Sequence, residues 1–296
     1  MTAADVSRLL CLGAIWGASY SFMRVVAPVF GGFGTMWLRV SIAGLVLLVY
    51  ALVTREDLHL AKWWKQYVFI GLMNSALPFA LIAFAMKTLP AGYGAILNAM
   101  APLFAALFAA LMLAEKLTVW RMAGMVLGVA GVAIVIKLGP IPLNLDTLTA
   151  AAACLSAACS YGFIIVYTKK YTKGAPNMGM AVGTLCLPAL LVTPFGLLAV
   201  PLVIPPTNVL LSLLGLAVLC SSIAYLLYYR LIRDIGPTKA ISATFLIPVF
   251  GATWGALFFG ETLNSGALIG GAVVLIGVAL VLGALPIRRG QKAATH

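Results

Sequence analysis

Negative charge is scarce in this 296-residue chain. Seven Asp and Glu face nineteen Lys and Arg, and charged residues make up 9% of the whole. An ordinary soluble domain is about a quarter charged and about half apolar. Here 63% of residues are hydrophobic and the mean hydropathy is +1.10. That is more apolar surface than a soluble core buries, so a soluble enzyme is excluded and an integral membrane protein is indicated. Histidine is rarer still: His59 lies in a loop and His296 is the last residue. The apolar runs hold no Asp, no His and no Glu near their middles. A membrane-embedded lipid-modifying enzyme needs such groups clustered at the membrane surface. A proton-coupled drug/metabolite antiporter needs a titrating group within the membrane. Both remain alternatives, and neither finds its residues here. The five cysteines (Cys11, Cys154, Cys159, Cys186, Cys220) sit inside apolar runs with no metal spacing and read as packing residues. No metal and no cofactor is expected.

What is present is a series of apolar runs of helical rather than barrel-strand length. Ten spans are expected, at 8–28, 33–53, 66–86, 91–113, 118–136, 148–168, 177–199, 208–230, 238–260 and 265–285, in an all-α membrane protein. The first run continues through Trp16 and Tyr20 to Val29, past the length of a signal peptide. Gly31-Gly32, Arg55-Glu56-Asp57, Leu89-Pro90, Gly139-Pro140, Lys169-Lys170, Pro205-Pro206, Gly236-Pro237 and Asn264 mark breaks. No loop is long enough to form a soluble domain.

Residues 96–135 and 242–281 match at 12 of 40 positions when shifted by 146. Pro102 falls on Pro248, and Glu115 on Glu261; the chain has three Glu in all. Each copy runs from an apolar stretch to Glu-x-Leu, a capping residue (Thr118 or Asn264) and a Gly-rich stretch ending Gly-Val-Ala-x-Val, which reads as helix, turn, helix. At the same offset Ser75-Ala76-Leu77-Pro78-Phe79 meets Ser221-Ser222-Ile223-Ala224-Tyr225. Ala18-Ser19-Tyr20-Ser21-Phe22 resembles Cys159-Ser160-Tyr161-Gly162-Phe163 at an offset of 141. A period of half the chain implies duplication, with one five-helix repeat over 1–140 and the other over 141–296.

Lys and Arg fix the expected orientation. With the N-terminus inside, fifteen fall in inner segments; Lys87 and Lys137 fall outside, and Arg24 and Arg39 within spans. Both termini are therefore expected in the cytoplasm, and the positive charge belongs to one membrane face rather than to a nucleic-acid surface. Five spans per half place the halves in opposite orientation. Such inverted repeats are the architecture of secondary transporters, opening one central site to each side in turn.

Ten spans, two repeats, the Trp16-Gly17 pair and the paired Pro…Glu-x-Leu turns together resemble the drug/metabolite transporter superfamily, specifically its EamA-type metabolite and amino-acid exporters. The resemblance covers essentially the whole chain. It implies a bacterial inner-membrane carrier in which spans 1–4 and 6–9 line a cavity, with spans 5 and 10 outside. Among such carriers the chain is most similar to exporters of aromatic amino acids. The expected activity is facilitative export of small apolar metabolites, aromatic or other neutral amino acids, by alternating access. The expected partners are that solute and membrane lipid, with no nucleic acid, in a monomer or weak homodimer.

Candidate cavity residues are the aromatic and small polar side chains of spans 1, 3, 4, 6, 8 and 9: Trp16, Ser19, Tyr20, Phe79, Tyr93, Asn98, Tyr161, Phe163, Tyr225, Tyr228, Ser242, Thr244, Phe245 and Trp254. A largely apolar lining with few polar groups suits an aromatic solute; Asn98 stands out because an amide in mid-span seeks a partner. Pro102 and Pro248 are expected to kink their helices, as cavity-shaping hinges or as static bends. Glu115 and Glu261 sit at turns, either capping the helix that follows or acting as gating carboxylates. Arg24 and Arg39, nearer the outer ends of their spans, either snorkel to the surface or hold a substrate carboxylate. The Gly-rich faces of spans 5 and 10 suit close helix contacts, within or between chains.

Overall fold

The computed structural model describes residues 2–138, 144–236, 240–262 and 264–282, with residues 137, 138, 241 and 242 described by backbone alone. Among these residues the chain is helical throughout, with no strand. The helices are α1 (Ala3–Val53), α2 (Leu60–Ala85), α3 (Ala91–Leu113), α4 (Val119–Leu138), α5 (Leu145–Tyr171), α6 (Asn177–Leu198), α7 (Thr207–Ile235), α8 (Ile247–Phe259) and α9 (Ser265–Leu282). All but α8 are long and apolar enough to cross a membrane; α8, with the turn before it, forms a shorter apolar segment, Ala243–Phe259. Large apolar side chains such as Leu111, Leu190, Leu198, Leu257 and Phe258 stand exposed on helix surfaces, as a lipid-facing exterior requires.

The first two expected spans are not separated by a loop. They run together as α1, whose 51 residues are broken only at Gly31 (φ 66°, ψ 176°). That backbone is open to glycine and strained for other residues. The break turns the chain back on itself. Along a continuous helix, residues 23 and 39 would stand about 24 Å apart, yet the Arg39 guanidinium reaches the Met23 sulfur at 3.8 Å. The two arms of α1 therefore lie side by side.

Matching local structures recur at the offset found in the sequence. α2 contains a π-helical turn at Leu72–Ala76, and α7 contains one at Gly215–Ile223. α3 is interrupted at Ala99 and Met100, just before Pro102; a 3-10 turn at Ile241–Leu246 precedes Pro248 in α8. Each proline thus sits in the first turn of a half-helix, where its missing N–H costs nothing. Ala114 and Gly260 end α3 and α8 in the left-handed conformation, at φ 53° and 61°.

The close packing follows the same rule. A Cβ on Gly17 would stand 2.8 Å from the Gly251 nitrogen, and one on Gly162 2.6 Å from the Ala105 nitrogen. These glycines let α1 lie against α8 and α5 against α3 at backbone distance. The Gly-rich faces meet within one chain: α4 packs on α9, with Gly124 against the Gly277 carbonyl and Gly131 against the Gly270 carbonyl.

Candidate functional site

The helices converge on a buried polar cluster built around Arg39, on the second arm of α1. Its side chain is almost wholly enclosed, with 4% of the residue exposed. Nε donates to Ser221 Oγ at 2.9 Å, and that hydroxyl donates onward to the Leu216 carbonyl at 3.2 Å. The guanidinium lies over the Phe79 ring, 3.6 Å from its centre. Tyr20, Tyr161, Tyr225 and Cys220 are within electrostatic reach around it. Asn74 Nδ2 donates to the Tyr225 hydroxyl at 3.4 Å. The buried Ser75 hydroxyl lies beside that of Tyr225, and the Asn98 amide beside that of Tyr20. Both π-helical turns feed this cluster, the first supplying Asn74 and Ser75, the second Cys220 and Ser221. A π turn re-aims side chains within a helix and is frequent at functional sites.

No carboxylate lies within 4 Å of Arg39 among the described residues, and the chain's acids are all placed elsewhere. Asp5 and Asp234 pair with Arg8, Asp57 with His59, Glu115 with Lys169 and Arg121, and Glu261 with Arg24; Glu56 and Asp146 are exposed. Burying an unpaired charge costs several kcal/mol, on the order of 3–5 when a pair is broken. The ring of Phe79 returns about 2 kcal/mol when desolvated, and the Ser221 bond about 1.5–3 kcal/mol net. Nη1 reaches only the Met23 sulfur, a weak acceptor, at 3.8 Å.

The expected cavity residues divide. Tyr20, Phe79, Tyr161, Tyr225 and Asn98 belong to the cluster. Trp16 and Tyr228 pair with each other, ring centres 5.4 Å apart, and Ser19 donates to the Trp16 carbonyl. Phe163 joins a separate aromatic row with Phe69, Phe108 and Tyr167. Trp254 donates to the Ala14 carbonyl and stacks between Phe250 and Phe258. The Tyr93 hydroxyl reaches Asn264 at 3.4 Å, at the far end of α3. Phe245 packs against the larger apolar core. Thr244 lies in the 3-10 turn before α8, and the side chain of Ser242 lies outside the described residues. Ser75, Ser221, Asn74 and Met23 complete the cluster although they were not among the candidates. The repeat itself marked two of them, since Ser75 and Ser221 share its offset.

The two glutamates do not cap the helices that follow them. Thr118 Oγ1 accepts from Arg121 N, and Asn264 Oδ1 from Ala267 N, so those caps are made by the neighbouring residues. Glu261 instead reaches across the bundle. Its carboxylate accepts from Ala91 N at 2.9 Å and Gly92 N at 3.4 Å, capping α3, and it pairs with Arg24. Arg24 therefore has a protein partner, and only its 35% exposure answers to the expected snorkelling. Glu115 is held by Lys169 at 3.1 Å and Arg121 at 3.3 Å. The hydrogen bond from Lys169 is the main cause that holds its carboxyl below the usual carboxylate range, against some desolvation.

Two apolar grooves open on the helix surfaces, and Arg39 lines neither. One, of about 180 Å³, runs past Pro102, Leu113, Glu115 and Val281; the other, of about 580 Å³, runs past Pro248, Val249, Leu257 and Leu275. Among the described residues no group of His, Cys, Asp and Glu could hold a metal ion.

Residues 6–137, and again 148–283, match the EamA-like transporter family. Over 275 residues the chain is 26% identical to the uncharacterized transporter YvbV of Bacillus subtilis (strain 168), covering 92% of this chain and 90% of that protein. It is 28% identical to protein PecM of Dickeya dadantii (strain 3937), with coverage of 90% and 88%. It is 24% identical to the probable terminal-alkyne amino-acid exporter of Streptantibioticus cattleyicolor, with coverage of 90% and 89%. A solved crystal structure aligns over 95% of this chain and 96% of its own at a TM-score of 0.64 and 18% identity, which is a likeness of fold alone.

Proposed function

The chain belongs to the EamA-like transporter family, a multi-pass membrane transporter, and from that premise we propose that it exports small apolar metabolites bearing a carboxylate, aromatic and other neutral amino acids among them. The observation that carries this reading is Arg39, a buried cation with no carboxylate of its own. A substrate carboxylate matches the planar fork of a guanidinium. Phe79, Tyr20, Tyr161 and Tyr225 offer ring surface for an aromatic body, and Asn98 and Ser75 add polar groups beside it. One relative is named as a probable amino-acid exporter, which supports the substrate class.

In this reading the chain crosses a bacterial inner membrane ten times, α1 supplying the first two passes, as inverted five-helix repeats over 1–140 and 141–296 with both termini in the cytoplasm. The double family match supports the duplication. So do the paired π turns, the paired left-handed residues before Glu115 and Glu261, and the paired glycine contacts. Alternating access then exchanges the conformations of the halves, with Pro102 and Pro248 as hinges and transport following the substrate gradient. The test is uptake of labelled phenylalanine into proteoliposomes without an ion gradient. Saturable uptake competed by Phe, Trp and Tyr is expected. Uptake that appears only under a pH gradient would replace the facilitative mechanism with a proton-coupled one.

A further inference from the structure

Charge bookkeeping around Arg39 separates two kinds of apolar carboxylate that the proposed function groups together. A neutral amino acid brings a carboxylate and an ammonium, whereas its deaminated analogue brings the carboxylate alone. The carboxylate answers Arg39 in both cases. The ammonium has nothing of opposite sign to meet. The chain has seven acidic residues, none of them within 4 Å of Arg39. Glu261, the most enclosed of those that are paired and the one that reaches between helices, is committed to Arg24 and to two backbone amides. The face of Phe79, which could otherwise stabilise an ammonium, is covered by the guanidinium. What remains for an ammonium is uncharged, the Asn98 amide and the hydroxyls and rings of Tyr20, Tyr161 and Tyr225, beside a buried positive charge.

We propose that the Arg39 cluster selects a net monoanion, an aryl or alkyl monocarboxylate without a compensating ammonium, over the corresponding zwitterionic amino acid. This rests on the proposed function for the location of the site. It has an energetic consequence. The loaded site is neutral and the empty one is positive, so each complete cycle moves one negative charge with the substrate. In a membrane polarised negative inside, moving that charge outward is downhill by roughly fifty-fold in concentration ratio per 100 mV. Export then needs no coupling ion, in agreement with spans that hold no Asp, His or mid-span Glu.

Three matched probes test it: 3-phenylpropionate (carboxylate only), L-phenylalanine (zwitterion) and phenethylamine (ammonium only). Uptake by the full chain in proteoliposomes is measured under a potassium diffusion potential set with valinomycin, subtracting flux into protein-free liposomes. The expected result is a kcat/KM for 3-phenylpropionate at least tenfold above that for phenylalanine and no uptake of phenethylamine. Accumulation of the anion should follow an inside-positive potential, and phenylalanine uptake should not respond to it. Arg39→Gln should lose anion uptake, and Arg39→Lys, which keeps the charge without the fork, should retain part of it; monodisperse elution and unchanged helical circular dichroism serve as the folding control. Phenylalanine carried as well as or better than 3-phenylpropionate overturns the inference and leaves the proposed function standing. Saturable transport of phenethylamine alone, or of no aromatic carboxylate, overturns both.

Discussion

Glu261→Ala is the substitution whose cost the geometry defines best. The Glu261 side chain is 7% exposed, pairs with Arg24 and accepts from the first two amides of α3. Its removal leaves Ala91 N, at 2.9 Å, without its acceptor, a loss of capping that costs about 0.5–2 kcal/mol. It also strands Arg24. A fully buried partner left uncompensated costs about 3–5 kcal/mol. Arg24 is 35% exposed, so water recovers much of that. Together the two effects amount to roughly 2–4 kcal/mol. Glu261→Gln keeps an acceptor for Ala91 and gives up only the charge, so it should cost about half as much, roughly 1–2 kcal/mol. The assay is equilibrium unfolding by SDS titration in mixed micelles, followed by circular dichroism. Arg24→Ala completes a double-mutant cycle, in which residues sharing one network couple by about 0.5–3 kcal/mol. A Glu261→Ala variant within about 0.5 kcal/mol of the parent, the range of ordinary surface substitutions, would refute the reasoning, as would additive effects of Glu261→Ala and Arg24→Ala.

The glycine contacts predict that Gly17→Val and Gly162→Val each destabilise by roughly 1–3 kcal/mol, as overpacking does, because a side chain there meets the backbone of Gly251 or Ala105; the same unfolding titration checks it. Ala114 holds a left-handed backbone that its equivalent Gly260 adopts without strain. Ala114→Gly should therefore stabilise by about 1 kcal/mol, and a loss of stability would count against the assigned backbone. The Glu115 carboxyl is held below its usual range by Lys169. A depressed carboxylate contributes stability above its unfolded pKa and loses it as the pH falls through the folded one. The stability difference between the parent and Glu115→Gln should accordingly close on acidification below the carboxylate range; a gap that widens in acid would show that the pair does not stabilise the fold.

The all-helical membrane character was legible because apolar runs of bilayer length between Gly, Pro and charged breaks leave few readings. The repeat was legible because Pro102 and Glu115 recur as Pro248 and Glu261. Gly31-Gly32 marked the break between the first two spans, but not that a single glycine at positive φ replaces a loop there, which hydropathy does not record. Which helix the glutamates serve was hidden for a similar reason. A carboxylate at a turn suggests the nearest helix N-terminus, whereas Glu261 serves α3, which precedes it in the chain by 170 residues. At the candidate site, residue type found Arg39, Tyr20, Phe79, Tyr161, Tyr225 and Asn98. It could not separate them from Trp16, Phe163 or Trp254, because which face of a helix turns inward depends on the π turns and kinks. Those same turns bring Ser75 and Ser221 to the centre.

The central claim is that Arg39 holds the carboxylate of the transported solute. Its most direct measurement is saturable uptake of 3-phenylpropionate and L-phenylalanine, with no gradient imposed, by the parent and by Arg39→Gln in matched proteoliposomes. The account predicts saturable uptake of an aromatic carboxylate by the parent and a loss of at least about tenfold in the variant, the scale of one charged hydrogen-bonding partner removed from a buried site. An Arg39→Gln protein that folds and transports as well as the parent would contradict it.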